Sequence, residues 1–198
     1  MFVYEKKLQY PVRIKNSNPK LAAAIISQYG GPDGELGASL RYLSQRYSMP
    51  YPELKGMLTD IGTEELGHLE KVGTIVHQLT RNLTEQQIKD AGFEAYFVDH
   101  TTGVFPQFAS GYPWSAATMQ VTGDTIADLT EDLAAEQKAR VTYDNILRLS
   151  DDPDVTDAIR FLRAREIVHF QRFGEGLRLV KDRLGEKNVY YMNPSFDQ

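Results

Sequence analysis

Cysteine is absent from this chain of 198 residues. That excludes disulfides, thiolate metal sites and iron–sulfur clusters, so any bound metal must be held by oxygen and nitrogen. No apolar run approaches the 18 or so residues that a membrane helix needs, so no segment is expected to span a bilayer. The opening MFVYEKKLQYPVRIKN has no apolar core of the signal-peptide kind, which argues against secretion by that route. Basic clusters are missing too: 22 Lys and Arg stand against 27 Asp and Glu, a net charge of -5 that argues against nucleic acid as a partner. What remains is 41% hydrophobic and 25% charged, the mix of a soluble globular protein. The length suits one domain over residues 1–198, with an arm at 1–18 and a tail at 186–198.

Against that background, the stretch TDIGTEELGHLEKV is unusual. Glu65 and His68 lie three apart, so on a helix they share a face. Leu54, Leu58, Ile61, Val72, Ile75 and Leu79 recur at spacings of three and four, and the pair falls on that apolar stripe. A glutamate buried there must be protonated, paired or bound to a metal. A second pair, Glu166 and His169 in REIVHF, sits on the stripe through Val155, Ile159, Leu162, Phe173, Leu177, Val180 and Leu184. Glu35 precedes Glu65 by 30 residues, and Glu136 precedes Glu166 by the same 30. Glu35 to Glu136, Glu65 to Glu166, His68 to His169 and Tyr42 to Tyr143 all share an offset of 101. Glu, Glu-x-x-His, Glu, Glu-x-x-His on four helices is the inward-facing ligand set of a dinuclear carboxylate bundle.

The expected elements follow in order. The arm is extended, with alternating Val12 and Ile14 but no clear strand partner; Tyr4 and Tyr10 face solvent or a neighbouring subunit. Asn18-Pro19 opens a helix that Gly30, Gly31, Pro32, Asp33 and Gly34 should break before ELGASLRYLSQRY resumes. A second bundle helix runs from about 52 to 80, followed by a short helix opened at Asn82 or Thr84, with Thr84 and Gln87 spaced as a capping box, and stopped by Gly92. Residues 93–123 lack a sustained period and read as a long, aromatic-rich crossover loop between the halves. The third bundle helix spans about 124–150 and the fourth about 154–184, with Gly185 as its stop. Asp151, Asp152 and Asp154 read as helix caps.

Two divalent ions, each held by carboxylates and one imidazole, can share oxygen bridges. Glu65 or Glu166 is placed to bridge, with Glu35 and Glu136 capping and His68 and His169 each supplying a nitrogen. Such ligands suit manganese or non-haem iron, and zinc is compatible. A redox pair can exchange two electrons with peroxide or dioxygen, whereas hydrolysis needs only Lewis acidity. Tyr42 and Tyr143, seven positions after Glu35 and Glu136, are placed to hydrogen-bond the ligand carboxylates. His77 reads as a surface residue of the second helix and His100 as a loop residue. Arg41, Arg46 and Arg140 read as partners in surface or subunit ion pairs.

The segments GGPDGELGASLRYLSQRY, LTDIGTEELGHLEKV, TEDLAAEQKARVTYDNIL and REIVHFQRFGE resemble the non-haem, manganese catalases, over about residues 20–185. The resemblance implies an all-α, ferritin-like four-helix bundle, two manganese ions per subunit and a homo-oligomer, commonly a hexamer. It implies that Glu35 and His68 hold one ion, Glu136 and His169 the other, and that Glu65 bridges both. Glu166 would then be an outer-sphere carboxylate that moves protons for hydrogen peroxide, two molecules of which yield water and dioxygen as the metal pair cycles between Mn(II) and Mn(III). Family members are often longer, and some place an arginine where this chain has Ala135. The short form is similar to a spore-coat branch, which implies coat proteins as partners and a mother-cell cytoplasmic or spore-coat location. Some members bind calcium; Glu53 and Asp60 lie near that region without completing a site. Two alternatives share the ligands: a di-iron oxidase, peroxidase or iron-handling bundle, and a structural coat protein with a structural metal.

Overall fold

The computed structural model describes residues 3–184. Its core is four helical rods. The first is broken into α1 (Pro19–Gly30) and α2 (Glu35–Gln45), and α3 (Pro52–Thr80) returns alongside both. After a crossover, α6 (Thr125–Leu149) and α7 (Pro153–Leu184) form the second hairpin. This is an all-α bundle, as the apolar periodicity predicts, and no strand occurs among the described residues. The expected tail 186–198 and the Gly185 stop lie outside the described residues.

Local chemistry sets the ends. Asn18 accepts from the Leu21 amide at 3.0 Å, and Pro19 supplies the first-turn proline of α1. The predicted break occurs at residues 31–34, where the Gly31 amide still reaches Ser27 O at 2.8 Å. Thr84 and Gln87 form the capping box of α4 (Glu85–Ala91), and Gly92 ends it at φ 68°. Asp124 caps α6 through the Ala127 amide at 2.8 Å, and Asp152 accepts from the Asp154 amide at 2.9 Å at the start of α7.

The crossover departs from the structureless loop expected over 93–123. It holds α5 (Glu94–His100) and a 3₁₀ turn at Ala116–Thr118. The helix is short and rich in aromatic residues of poor helix propensity, so packing forms it rather than periodicity. The Tyr96 hydroxyl donates to Gly103 O at 2.5 Å and accepts from the Phe105 amide at 2.9 Å, while His100, at the end of α5 rather than in a loop, stacks on Phe105. The segment beyond α5 lies across the break in the first rod. A Cβ on Gly30 would stand 2.2 Å from the Pro106 carbonyl carbon, so only glycine admits that crossing.

The arm at residues 3–18 also packs on its own chain. Val12 and Ile14 are buried, and one side chain replaces a strand partner: Gln78 accepts from the Ile14 amide at 2.7 Å and donates to Val12 O at 3.0 Å. Arg81 donates to Ile14 O at 2.6 Å. Tyr10 stacks on Phe161, and the two rings lie 4.2 and 3.8 Å from the buried Lys71 ammonium. Tyr10 thus packs within the chain, while Tyr4 is exposed and donates to Glu70.

Candidate metal centre

The centre lies where α2, α3, α6 and α7 face one another. Spacing of three and four residues delivers Glu65 and His68 from α3 and Glu166 and His169 from α7, while α2 and α6 add Glu35 and Glu136; all six are buried. Glu65 stands between the two imidazoles: its Oε2 is 2.6 Å from His68 Nδ1 and its Oε1 is 2.7 Å from His169 Nδ1. Behind them, Glu35 Oε2 is 3.8 Å from His68 Nδ1 and Glu136 Oε2 is 3.6 Å from His169 Nδ1. The rings lie 5.5 Å apart and 23° from parallel. Each half of the chain thus contributes to a carboxylate–imidazole pair, with Glu65 straddling both. One ligating atom from each of Glu65, His68, Glu166 and His169 falls within 4.8 Å of the others, so Glu166 stands within ligand reach.

The tyrosines cross over. Tyr42 on α2 donates to Glu136 Oε1 on α6 at 2.5 Å, and Tyr143 on α6 donates to Glu35 on α2. Both are fully buried, so each phenol fixes the carboxylate of the opposite rod.

The donor set fits a pair of divalent ions. Glu65 Oε1 and His169 Nδ1 are 2.7 Å apart, yet neither makes a hydrogen bond. Their lone pairs converge on common space, as ligands of one ion do. Glu136 Oε2 and Glu166 Oε1 are likewise buried without a hydrogen-bond partner. The carboxylates of Glu35, Glu65, Glu136 and Glu166 would carry, when ionised, a charge equal and opposite to two divalent cations, which resolves the cost of burying them together.

Metal-free, the cluster neutralises itself with protons. Burial and the neighbouring Glu65 push Glu35 up to about 7. Burial, then Glu35, Glu136 and Glu65, push Glu166 well above the usual carboxylate range, and Glu136 is also raised, chiefly by burial. Burial acts the same way on Glu65, but the two histidines outweigh it and hold that carboxyl low. Burial alone would lower His169, yet Glu65, Glu136 and Glu64 raise it to about 12. Binding of cations must displace these protons.

One functional residue escaped the sequence reading. Glu64 lies on the far side of the imidazoles, its Oε2 3.0 Å from His169 Nε2 and its Oε1 3.5 Å from His68 Nε2. Arg165 grips the same carboxylate from Nε at 2.7 Å and Nη2 at 3.1 Å, and Gln9 of the arm adds a hydrogen bond at 2.8 Å. These hydrogen bonds overcome the upward push of burial and keep Glu64 well below the usual carboxylate range. It lies off the apolar stripe that singles out Glu65 and His68. The available signals were its place four before His68 and the opposite charge 101 residues on, at Arg165. An open groove of about 1120 Å³, lined in part by Gln9, Glu64, Arg165 and Tyr4, approaches the centre from this side.

Arg41, expected at the surface or a subunit contact, is instead buried. Its Nη2 donates to Pro32 O at 3.2 Å and lies 3.6 Å from Asp33 Oδ1. Arg140 forms an ion pair with Asp144 at 2.7 Å, whereas Arg46 donates to the Tyr47 hydroxyl at 2.9 Å rather than to a carboxylate; His77 is exposed as expected. Glu53 and Asp60, considered for calcium, are each engaged by an arginine: Arg183 at 2.6 Å and Arg172 at 2.7 Å.

Comparison with known proteins adds three findings. Residues 1–192 match the family model described as manganese containing catalase. Protein CotJC of Bacillus subtilis (strain 168) is 51% identical over 190 residues, 96% of this chain and 100% of that protein, and a probable manganese catalase of Clostridium acetobutylicum is 37% identical, covering 95% and 84%. Among solved structures, the wild-type manganese catalase KatB from Anabaena superposes with a TM-score of 0.86 at 32% identity, covering 95% of this chain and 84% of that one.

Proposed function

The chain belongs to the manganese-containing catalase family, and on that premise we propose that it disproportionates hydrogen peroxide to water and dioxygen at a dimanganese centre. The observation that carries this reading is Glu65 held between His68 Nδ1 and His169 Nδ1 at 2.6 and 2.7 Å, with Glu35 and Glu136 behind. Glu35 and His68 would hold one ion, Glu136 and His169 the other, and Glu65 both. The bound pair would supply a two-electron couple, which both peroxide half-reactions require. Glu166 is the proton carrier: buried beside Glu65, His68 and His169 with its Oε1 free of any hydrogen-bond partner, it can take a proton from one peroxide and return it to a leaving oxygen. Tyr42 and Tyr143 hold Glu136 and Glu35 in place from opposite rods.

The ferritin-like bundle, residues 1–198, acts in this proposal as one domain in a homo-oligomer of hexameric form. No helix among the described residues is long and apolar enough to cross a membrane. The 51% identity to CotJC supports a place in the spore-coat branch of the family, and with it a mother-cell or spore-coat location alongside coat proteins. One observation favours a second reading. Glu166 stands in the same 4.8 Å cluster as Glu65, where a second bridging carboxylate of a di-iron oxidase would be.

The test is metal analysis of protein purified without added metal, paired with oxygen evolution on hydrogen peroxide. About two manganese ions per chain and oxygen release that H169A abolishes are expected under the proposal. Iron at that stoichiometry without oxygen release would move the assignment to the di-iron class. Two tightly held ions without peroxide turnover, even after manganese reconstitution, would leave a structural coat role.

A further inference from the structure

Glu64 offers one carboxylate to two imidazoles. An imidazole that gives Nδ1 to a cation must carry its proton on Nε2, and the acceptor for that proton fixes the tautomer and the ring plane. Here both Nε2 atoms face the same group: His169 is at 3.0 Å from Oε2 and His68 at 3.5 Å from Oε1. Arg165 and Gln9 hold the carboxylate from outside, and the bidentate Arg165 contact fixes its plane. Glu65 joins the same two rings on their inner side. His169 is therefore clasped between two carboxylates, while His68 Nε2, buried without a hydrogen-bond partner, faces Glu64 Oε1 across 3.5 Å.

Resting on the dinuclear reading above, we propose that Glu64 is a positioning residue shared by His68 and His169, and that through it the two ions load together rather than independently. A cation on His169 Nδ1 would make its Nε2–H a stronger donor to Glu64 Oε2 and fix the carboxylate, whose plane Arg165 already sets. Oε1 would then be held toward His68 Nε2, and that ring would close onto it with its Nδ1 turned inward. The ordering cost of the second half-site is met by the first ion, which is positive cooperativity. The contacts are asymmetric, so His169 is the ring held in advance and His68 the one that closes.

An amide cannot do this. Glu64→Gln keeps the shape but has a single acceptor oxygen, and its NH2 would face the N–H of the other ring. The experiment titrates metal-free protein with manganese(II), counting bound ions by equilibrium dialysis and recording electron paramagnetic resonance at each step. Wild type should fill cooperatively to two ions per chain and show the spectrum of a coupled pair without an isolated-ion stage. E64Q, with its helical circular dichroism retained, should take one ion tightly, show the six-line spectrum of isolated manganese, and bind the second about 10–100-fold more weakly. R165M keeps the carboxylate but frees its plane, so both affinities should fall together; this variant also serves if E64Q does not fold. Two ions with wild-type affinity and spectrum in E64Q, or weakening confined to one site in R165M, would overturn the proposal. Peroxide turnover does not enter the readout. A wild-type protein that bound fewer than two ions would count against the dinuclear reading itself, whereas non-cooperative filling with two would count against Glu64 alone.

Discussion

The two halves of the bundle, residues 19–80 and 125–184, carry the same ligand pattern on unequal scaffolds. In the second half one unbroken helix, α6, places Glu136 in mid-helix; in the first, the break at residues 31–34 makes Glu35 the opening residue of α2. A carboxylate at a helix N-terminus faces unpaired amides and the positive end of the dipole, while one in mid-helix does not. The contacts of Glu35 and Glu136 with the imidazoles stay matched, down to the exchanged tyrosines, whereas Glu65 alone reaches both rings and the surroundings diverge. Glu64 is answered by Arg165, Gly30 by Glu131, Lys71 by Arg172. Symmetry survives where two like cations would impose it and lapses elsewhere.

The largest expected effect tests whether Glu65 and Glu166, equivalent by position, differ in role. E65Q should lose both ions and all oxygen evolution. E166Q should keep about two manganese ions per chain while turnover drops about 10²–10⁴-fold, the usual contribution of a general acid–base. Loss of an ion from E166Q would make Glu166 a ligand and restore full symmetry.

Next in size is the buried ammonium. Burial pushes Lys71 down to about 7, with Asp157 pulling the other way. Below that pH both folded and unfolded chains carry the proton; above it the folded chain loses it first, while the unfolded chain keeps it to about 10.4. Stability should therefore rise between about pH 7 and 10 by on the order of 2 kcal/mol, and K71M should flatten that slope. R172M, which removes only the exposed pair with Asp60, should leave the slope intact and cost less than ~1 kcal/mol. Denaturant titrations at several pH values would decide; a slope unchanged in K71M would contradict the assignment.

The smallest contrast concerns the break. G30A should destabilise the fold by about 1–3 kcal/mol, because the new methyl meets the Pro106–Gln107 backbone. E131A, at the matching position of α6, loses only a partly exposed carboxylate that faces Lys138 and Arg41, and should cost about 1 kcal/mol or less. Equal thermal midpoints for the two variants would mean that the crossover yields without cost.

Much of this was legible because side chains that converge on one centre from helices obey strict spacing. Two Glu-x-x-His pairs and two glutamates repeat at one offset, and the structure brings them to one point; the helix limits and the break also followed from proline, glycine and apolar period. Three features were not legible, each for its own reason. The α5 helix depends on Tyr96 and His100 finding partners beyond its own span. Arg41 reads as a surface or subunit ion-pair partner because charged side chains are usually exposed, and nothing local foretells a pocket of backbone carbonyl and carboxylate. Glu64 was hidden by its neighbour, since residues one apart on a helix point about 100° apart, and the role fell to the one not on the stripe.

The arm's fastening has a kinetic consequence. Ile14 is tied by its amide to Gln78 and by its carbonyl to Arg81, so its backbone is held within one turn at the end of α3. Such a clasp can open without melting the bundle, and amide exchange at Ile14 should proceed at a lower opening free energy than exchange in mid-α3. When the opening extends to Gln9, it carries that side chain off Glu64. The outer side of the Glu64 carboxylate is then left to Arg165 alone at the tempo of a local fluctuation, not of global unfolding.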